Sequence, residues 1–321
     1  MTVSVSTNAF QRPDLAMAFE GLSLDREAQR FKALEIFPIL PTKVAAANFS
    51  SIAPEEMQVD SDTLRNPDGS YQEADSKVGQ DSFLCEEHGF EERVDDANKR
   101  IFAYSFDAEM IATKRTRNKL YRRLEIDLAA VLFNTNIWTG AALTTNVSVK
   151  WNVPATSTPV DDVLAAQQKI AASCGDEPNV VIMSKDLFLD LQTNAQIKSQ
   201  VVYNGSDDPK KVTEQQLAAL FHVEKVIVCS ATRNTVNKAQ GYSGGRIWPS
   251  TMCMVAKLAT TKDLAEPCIG RTFHFIEDGA GDVIVETYRD ERRRSDMVRA
   301  RINYHQKRLL VGAGHLLTNT N

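Results

Sequence analysis

The sequence predicts an α+β chain, and three observations predict it. One helical run is far longer than a compact domain needs. A block of helices alternating with short apolar strands follows it, and a charged antiparallel hairpin closes the chain. The helical run spans Asp107 to Gly140. Asp107 can cap the free N–H groups of the first turn, and Phe106 can staple onto Ile111. Glu109 stands where the helix dipole favours an anion. Leu120, Leu124, Leu128 and Val131 recur at three- and four-residue steps and line one face, and Gly140 is the expected stop. Such a helix would be roughly 45–50 Å long. Lys114, Arg115, Arg117, Lys119, Arg122 and Arg123 crowd its first half, so acidic groups or a phosphate backbone should lie nearby.

The chain before the helix divides in two. Residues 1–31 are polar at first and weakly helical from Leu15 to Phe31. Phe37-Pro38-Ile39-Leu40-Pro41 follows, and its prolines forbid a helix interior or a central strand. This reads as an extended arm lying along another surface; the bland alternative is a frayed terminus with one apolar clip. Lys43 to Arg100 carries strand-like pieces at Val44–Phe49 and near Ser82–Cys85, with a turn at Asn66-Pro67-Asp68-Gly69. Its middle is acidic, from Glu55, Glu56, Asp60 and Asp62 through Asp96, opposed by few cations. A projecting β-hairpin and plain disorder both fit this composition.

Behind the helix, Trp151 to Pro159 is a Pro/Ser/Thr-rich boundary. Helices are expected at Val160–Ser173, from Ser184 to Leu191, near Ile197–Val202 and from Thr213 to Phe221. Buried strands are expected at Asn179–Met183, Val226–Cys229 and Met252–Leu258. From Gly270 the period becomes two. Ile284–Tyr288 and Val298–Tyr304 alternate across the charged tip Asp290–Asp296. Leu309–Val311 and His315–Leu317 are expected to finish that sheet.

Bulk composition excludes several classes. The chain has 321 residues, 43% hydrophobic and 25% charged, with a net charge of −5, which does not point to nucleic-acid binding. Five cysteines without CxxC spacing read as reduced thiols. The start MTVSVSTNAF lacks the basic and apolar regions of a secretory signal, and no run suits a membrane span. The sequons at Asn48, Asn146 and Asn204 then read as chance. Gly241-Tyr242-Ser243-Gly244-Gly245 matches a hydrolase elbow, but a polar run precedes it and Trp248-Pro249 soon follows, so a Gly-rich loop is expected. Cys85 and His88 supply half of a zinc site, with no second pair at a fitting spacing. No catalytic residue, cofactor or metal is expected.

Taken in order, these stretches resemble the major capsid protein of tailed bacteriophages, the HK97-like fold, along nearly the whole chain. Asp107 to Ile137 resembles its spine helix and Lys43 to Arg100 its extended E-loop. Val160 to Asp263 resembles the axial domain, through NVVIMSKDLFLDL and VEKVIVCSA…GRIWPSTMCMVA. Ile284 to Leu317 resembles the returning strands of the peripheral domain. The resemblance implies an N-terminal arm at 1–42, an E-loop at 43–100, a peripheral domain at 101–159 and 264–321, and an inserted α/β axial domain at 160–263. It implies a shell subunit without enzyme activity, forming hexamers and pentamers of an icosahedral virion that is assembled in the host cytoplasm around double-stranded DNA. The alternative is an encapsulin-like nanocompartment storing a cargo enzyme. Expected partners are other copies of the chain, a portal and a decoration protein, with no membrane. No coiled-coil segment precedes Phe31, so a separate scaffolding protein is expected. Lys77 is the lone Lys of the acidic middle and no Asn partner stands out, so no cross-link is expected.

The candidate intersubunit contacts are Glu55, Glu56, Asp60 and Asp62 on the acidic side. On the basic side they are Lys114, Arg115, Arg117, Arg122 and Arg123 of the helix and Arg292, Arg293 and Arg294 of the closing hairpin. The basic runs could also touch packaged DNA through its phosphates, without sequence preference.

Overall fold

The computed structural model describes residues 23–52, 64, 69, 78–102, 107–203, 212–236, 241–264, 266–276 and 283–321. The chain is α+β and divides into two units. Unit 1 comprises Met1–Arg30, Glu87–Tyr121 and Ala280–Ile302; unit 2 comprises Phe31–Glu86, Arg122–Gly279 and Asn303–Asn321.

In unit 1, residues 23–28 are helical. The closing hairpin is a strand at Ile284–Asp290 paired antiparallel with the first half of a long strand at Ser295–Arg308, from Ile284↔Arg301 to Asp290↔Ser295. A strand at Glu86–Asp95 also pairs with that long strand. The expected alternation holds as far as Ile302, with Val298, Ala300 and Ile302 buried and Arg299 and Arg301 half-buried, and breaks at Asn303, which is buried together with Tyr304. Val298 packs with Val94 and with Ala112 of the long helix, which spans Ala108–Leu132. Asp107 caps that helix, its Oδ1 accepting from the Glu109 N–H at 2.9 Å and the Met110 N–H at 3.4 Å. The Phe106 staple lies outside the described residues.

The helix stops eight residues before Gly140. Its 25 residues span about 37 Å. In unit 2, Leu124, Leu128 and Leu132 are fully buried, while Val131 is half-buried. Asn134, Thr135 and Asn136 then take the chain out of the helix. The Asn134 Oδ1 accepts from the Asn136 N–H at 3.0 Å, a local bond that competes with the helical ladder. Gly140 still ends the segment, in the left-handed region at φ +89°.

Unit 2 holds a five-stranded sheet. We number the strands of this unit in chain order: β1 Ile39–Thr42, β2 Ala46–Ile52, β3 Val78–Leu84, β4 Thr144–Asn146, β5 Val180–Ser184, β6 Lys225–Cys229, β7 Thr232–Asn234, β8 Gly244–Arg246, β9 Met252–Ala256, β10 Gly270–Phe275 and β11 Gly314–Thr318. The sheet order is β4-β11-β9-β5-β6, with β4/β11 and β5/β6 parallel and the two central pairings antiparallel. Helices Pro159–Cys174, Lys185–Thr193, Ala195–Tyr203 and Glu214–Leu220 accompany it. Two starts follow the expected caps. Ser184 accepts from the Leu187 N–H, and Thr213 with Gln216 forms a capping box.

Membership of this sheet corrects the expectation for the C-terminus. His315, Leu316 and Leu317 do form a strand, but β11 joins the α/β sheet rather than the hairpin sheet. All three residues are buried, so this strand is covered on both faces. The hairpin strands alternate and suit a sheet with one wet face. Leu309–Val311 is not a strand. The Leu309 and Leu310 N–H groups bond to the carbonyls of Ile269 and Cys268, each at 3.1 Å, and a 3₁₀ turn follows at Val311–Ala313.

The Pro-rich clip is an edge strand. β1 runs parallel to β10, which pairs antiparallel with the last residues of the Ser295–Arg308 strand. Phe37 is fully buried against Gly270, where a Cβ would meet the ring at 2.4 Å. β2 and β3 form the expected hairpin, in register from Ala46↔Leu84 to Ile52↔Val78. Its base is aromatic: Phe83 stacks on Phe273 with ring centroids 4.4 Å apart, and Phe49 tilts against both.

Candidate intersubunit surfaces

In unit 1 the basic half of the long helix is met by acids of its own chain. Lys114 pairs with Asp25 at 2.8 Å and Arg115 with Glu92 at 2.8 Å. Lys119 lies 3.6 Å from Glu92 and 3.9 Å over the Phe90 ring. Asn118, almost fully buried, donates to the Leu24 carbonyl at 2.8 Å. Arg117 is half-buried, and its Nε is buried without a hydrogen-bond partner. Each partly exposed pair adds roughly 0.2–1 kcal/mol at most. Their main effect is on charge, since they neutralise most of what made this half look like a docking face.

In unit 2, Arg122 is half-buried and Arg123 exposed. Arg123 pairs with Asp127 one turn on, at 2.7 Å. Asp127 also accepts from the Tyr304 hydroxyl at 3.1 Å, and burial together with this anion holds the Tyr304 phenol well above its ordinary pKa.

The closing hairpin of unit 1 is neutralised just below its turn and carries exposed arginines on the turn itself. Lys99 bonds both Glu109 and Asp296. Arg289 grips Asp96 through two bonds of 2.5 and 2.6 Å and holds that carboxyl below its usual range. Across the sheet face, Arg299 meets Glu91 at 2.5 Å and Arg301 meets Glu286 at 3.1 Å. On the turn, Arg292, Arg293 and Arg294 are all exposed. Arg293 has Asp290 at 3.7 Å, and among the described residues Arg292 and Arg294 have no ion-pair partner. Arg294 sits at φ +46°, which turns the tip tightly. Glu55, Glu56, Asp60 and Asp62 lie outside the described residues.

Two acids absent from the sequence-based set are the most deeply engaged. Glu125 is fully buried on the long helix; its Oε2 accepts from the Lys32 and Ala33 N–H groups and its Oε1 from the Trp248 indole at 2.7 Å. Glu266 accepts four bonds of 2.7–2.8 Å from the amides and hydroxyls of Thr260 and Thr261. Glu125 left a faint signal in the sequence: an acid beside the leucine stripe with Tyr121 and Ala129, not cations, at the four-residue steps. Glu266 left none.

The G-x-S-x-G stretch runs into the two-stranded ribbon of β7 and β8, its last two glycines being the first residues of β8. Ser243 immediately precedes β8, its N–H donating to Asn234 Oδ1 at 2.9 Å, so it is not at the tip of a strand–helix elbow. Cys85 is buried, with its Sγ 3.6 Å from the Phe273 carbonyl.

No family model and no curated sequence matches the chain. Solved structures do. A phage-related protein from Bordetella bronchiseptica RB50 aligns over 93% of this chain and 97% of its own, with TM-score 0.68 and 20% identity. The capsid of cyanophage P-SCSP1u aligns over 88% and 86%, with TM-score 0.58 and 8% identity. The SrpI encapsulin of Synechococcus elongatus PCC 7942 aligns over 90% and 86%, with TM-score 0.54 and 8% identity. The fold is the HK97-like capsid fold.

Proposed function

We propose that this chain is a shell subunit, the major capsid protein of a tailed phage, and that it acts by self-assembly rather than catalysis. The observation that carries this reading is the fold taken along its whole length. A capped long helix, the β2–β3 hairpin and an α/β sheet occur together in this chain, which aligns over 88% of its length with a cyanophage capsid. Copies would associate head to tail, a mode that closes into rings and suits hexamers and pentamers of an icosahedral shell. The exposed Arg292 and Arg294 of the tip supply positive charge, and the acidic stretch with Glu55, Glu56, Asp60 and Asp62 supplies negative charge. Between copies such patches set register and encounter rate more than raw affinity. A separate scaffolding protein, a portal and a decoration protein are the further partners of this reading. Double-stranded DNA is its content, touched through phosphates without sequence preference, and the virion, built in the host cytoplasm, is its location.

An encapsulin-like compartment is the second reading, favoured by the likeness to the SrpI encapsulin. Expression of the chain alone and with its gene neighbours, followed by size exclusion and negative-stain microscopy, tests both. Closed particles are expected. A monodisperse monomer at every concentration, with or without a scaffold, would sink the shell reading. Nuclease-protected DNA in the particles supports the phage head; co-purifying protein cargo supports the compartment.

A further inference from the structure

His315 is fully buried on β11, and both of its ring nitrogens are held. Nδ1 lies 2.8 Å from the Ala142 carbonyl, and Nε2 lies 2.8 Å from Thr145 Oγ1 of β4. The partners assign the protons. A carbonyl can only accept, so Nδ1 carries a hydrogen. The Lys169 ammonium, 2.6 Å from the same Thr145 Oγ1, can only donate, so the hydroxyl turns its own hydrogen to Nε2. The ring is therefore the neutral Nδ1–H tautomer, in a chain of bonds that runs from Lys169 through Thr145 and His315 to Ala142. A second proton on Nε2 reverses one link. The hydroxyl would face two cationic donors at once, and its own hydrogen would lose its acceptor. A second positive charge would also stand in a closed site, which is costly without a counterion.

The surroundings supply no such counterion. β4, residues 137–143 and the turn Val311–Ala313 carry no ionisable side chain, and β9 carries only the buried thiol of Cys253. Lys257, whose N–H bonds the Ala313 carbonyl, is paired with Asp176 at 3.0 Å. The helix Pro159–Cys174 lies against β11 and contributes Lys169, which is in no ion pair among the described residues, and the buried thiol of Cys174. Its two acids are engaged elsewhere: Asp162 accepts from the Trp151 indole at 2.8 Å and Asp161 from Gln196 at 3.0 Å. β4 is a three-residue edge strand, in register with β11 only from Leu316↔Thr144 to Thr318↔Asn146, so the bond from Thr145 to His315 is a substantial part of its attachment. We propose that His315 is an acid-sensitive latch, which ties β4 and the Ala142 turn to the C-terminal strand β11 while it is neutral and weakens that tie when acid charges it. Burial is the largest influence on the ring and pushes its pKa down; the Ala142 carbonyl acts against this, and the Lys169 charge acts with it. The unfolded chain thus binds the proton more tightly than the folded one. The latch stabilises the fold fully above the ordinary imidazole value of 6.5, and its contribution is lost as pH falls through the depressed one. It belongs to the single folded chain and does not rest on the shell reading.

Deuterium exchange of the imidazole C2 hydrogens in the full chain, followed by mass spectrometry across a pH series, reads the titration of each histidine separately. The His315 midpoint is expected below 6.5. Lys169→Met keeps the stem and removes the cation, so the midpoint should rise. Urea unfolding reads the consequence for the fold. His315→Gln offers one donor and one acceptor but cannot titrate. Relative to that variant, the folding equilibrium constant of the unaltered chain should fall about tenfold for each pH unit between 6.5 and the depressed value. A His315 midpoint at or above 6.5, a Lys169→Met midpoint that stays or falls, or a ratio to His315→Gln that does not change with pH would each overturn the latch. Should His315→Gln fail to fold, the two midpoints decide.

Discussion

Glu266 and Glu125 are both carboxylates held mainly by N–H and O–H donors, yet they are shifted in opposite directions. Burial acts to raise each of them. For Glu266 four short hydrogen bonds outweigh it and bring its pKa down to about 2. Glu266 keeps some contact with water, at 15% side-chain exposure, and has Arg271 at 3.3 Å, whereas Glu125 is fully buried and, among the described residues, in no ion pair, with the Lys32 charge acting on it from farther off. A depressed folded pKa means that Glu266 stabilises the fold fully above its unfolded value near 4.5. That contribution is lost as pH falls toward 2. Glu266→Gln keeps the shape and removes the charge. It should cost about 1–2 kcal/mol in urea unfolding at pH 7, and the gap from the unaltered chain should shrink below pH 4.5 and close only near pH 2. A gap that persists unchanged in acid would mean that shape, not charge, is what the clasp of Thr260 and Thr261 needs.

At the scale of elements, the leucine face of the long helix carries more stability than its ion pairs. Leu128→Ala deletes a fully buried side chain and should cost roughly 2–5 kcal/mol, against less than 1 kcal/mol for Lys114→Ala. Comparable losses for the two would reverse that ranking. The face was legible because its cause is local: a repeat of three and four residues is visible in any window. The same holds for the hairpin strands, whose period of two matches one wet face. The helix end was misread because glycine is the louder signal, while Asn134 stops the helix with a single side-chain bond. The place of β11 was not legible, since a short apolar run says that it is buried but not which sheet buries it. Glu125 was missed for a related reason. Its partners lie 92, 93 and 123 residues away in the chain, beyond any local pattern.

For the whole molecule, the question is which charge is left for a partner. The helix basic groups Lys114, Arg115 and Arg123 are answered within the chain, so the Arg292–Arg294 tip is the place to test. Reversing all three to Glu should abolish particle formation while changing stability by less than about 0.5 kcal/mol, as expected for exposed sites. Light scattering reads the first outcome and a melting curve the second. Reversing Glu55, Glu56, Asp60 and Asp62 to Lys in the same chain should restore particles if these patches meet between copies. Particles unaffected by the tip reversal would move the contact elsewhere. The edge strand β1 bears on how copies can join at all. Pro41 offers no N–H along that edge, and Pro38 immediately precedes it. An incoming strand would find gaps where a ladder needs donors. On the shell reading, this edge closes one route to open-ended fibrils and leaves recognition to side chains, which can specify where growth stops.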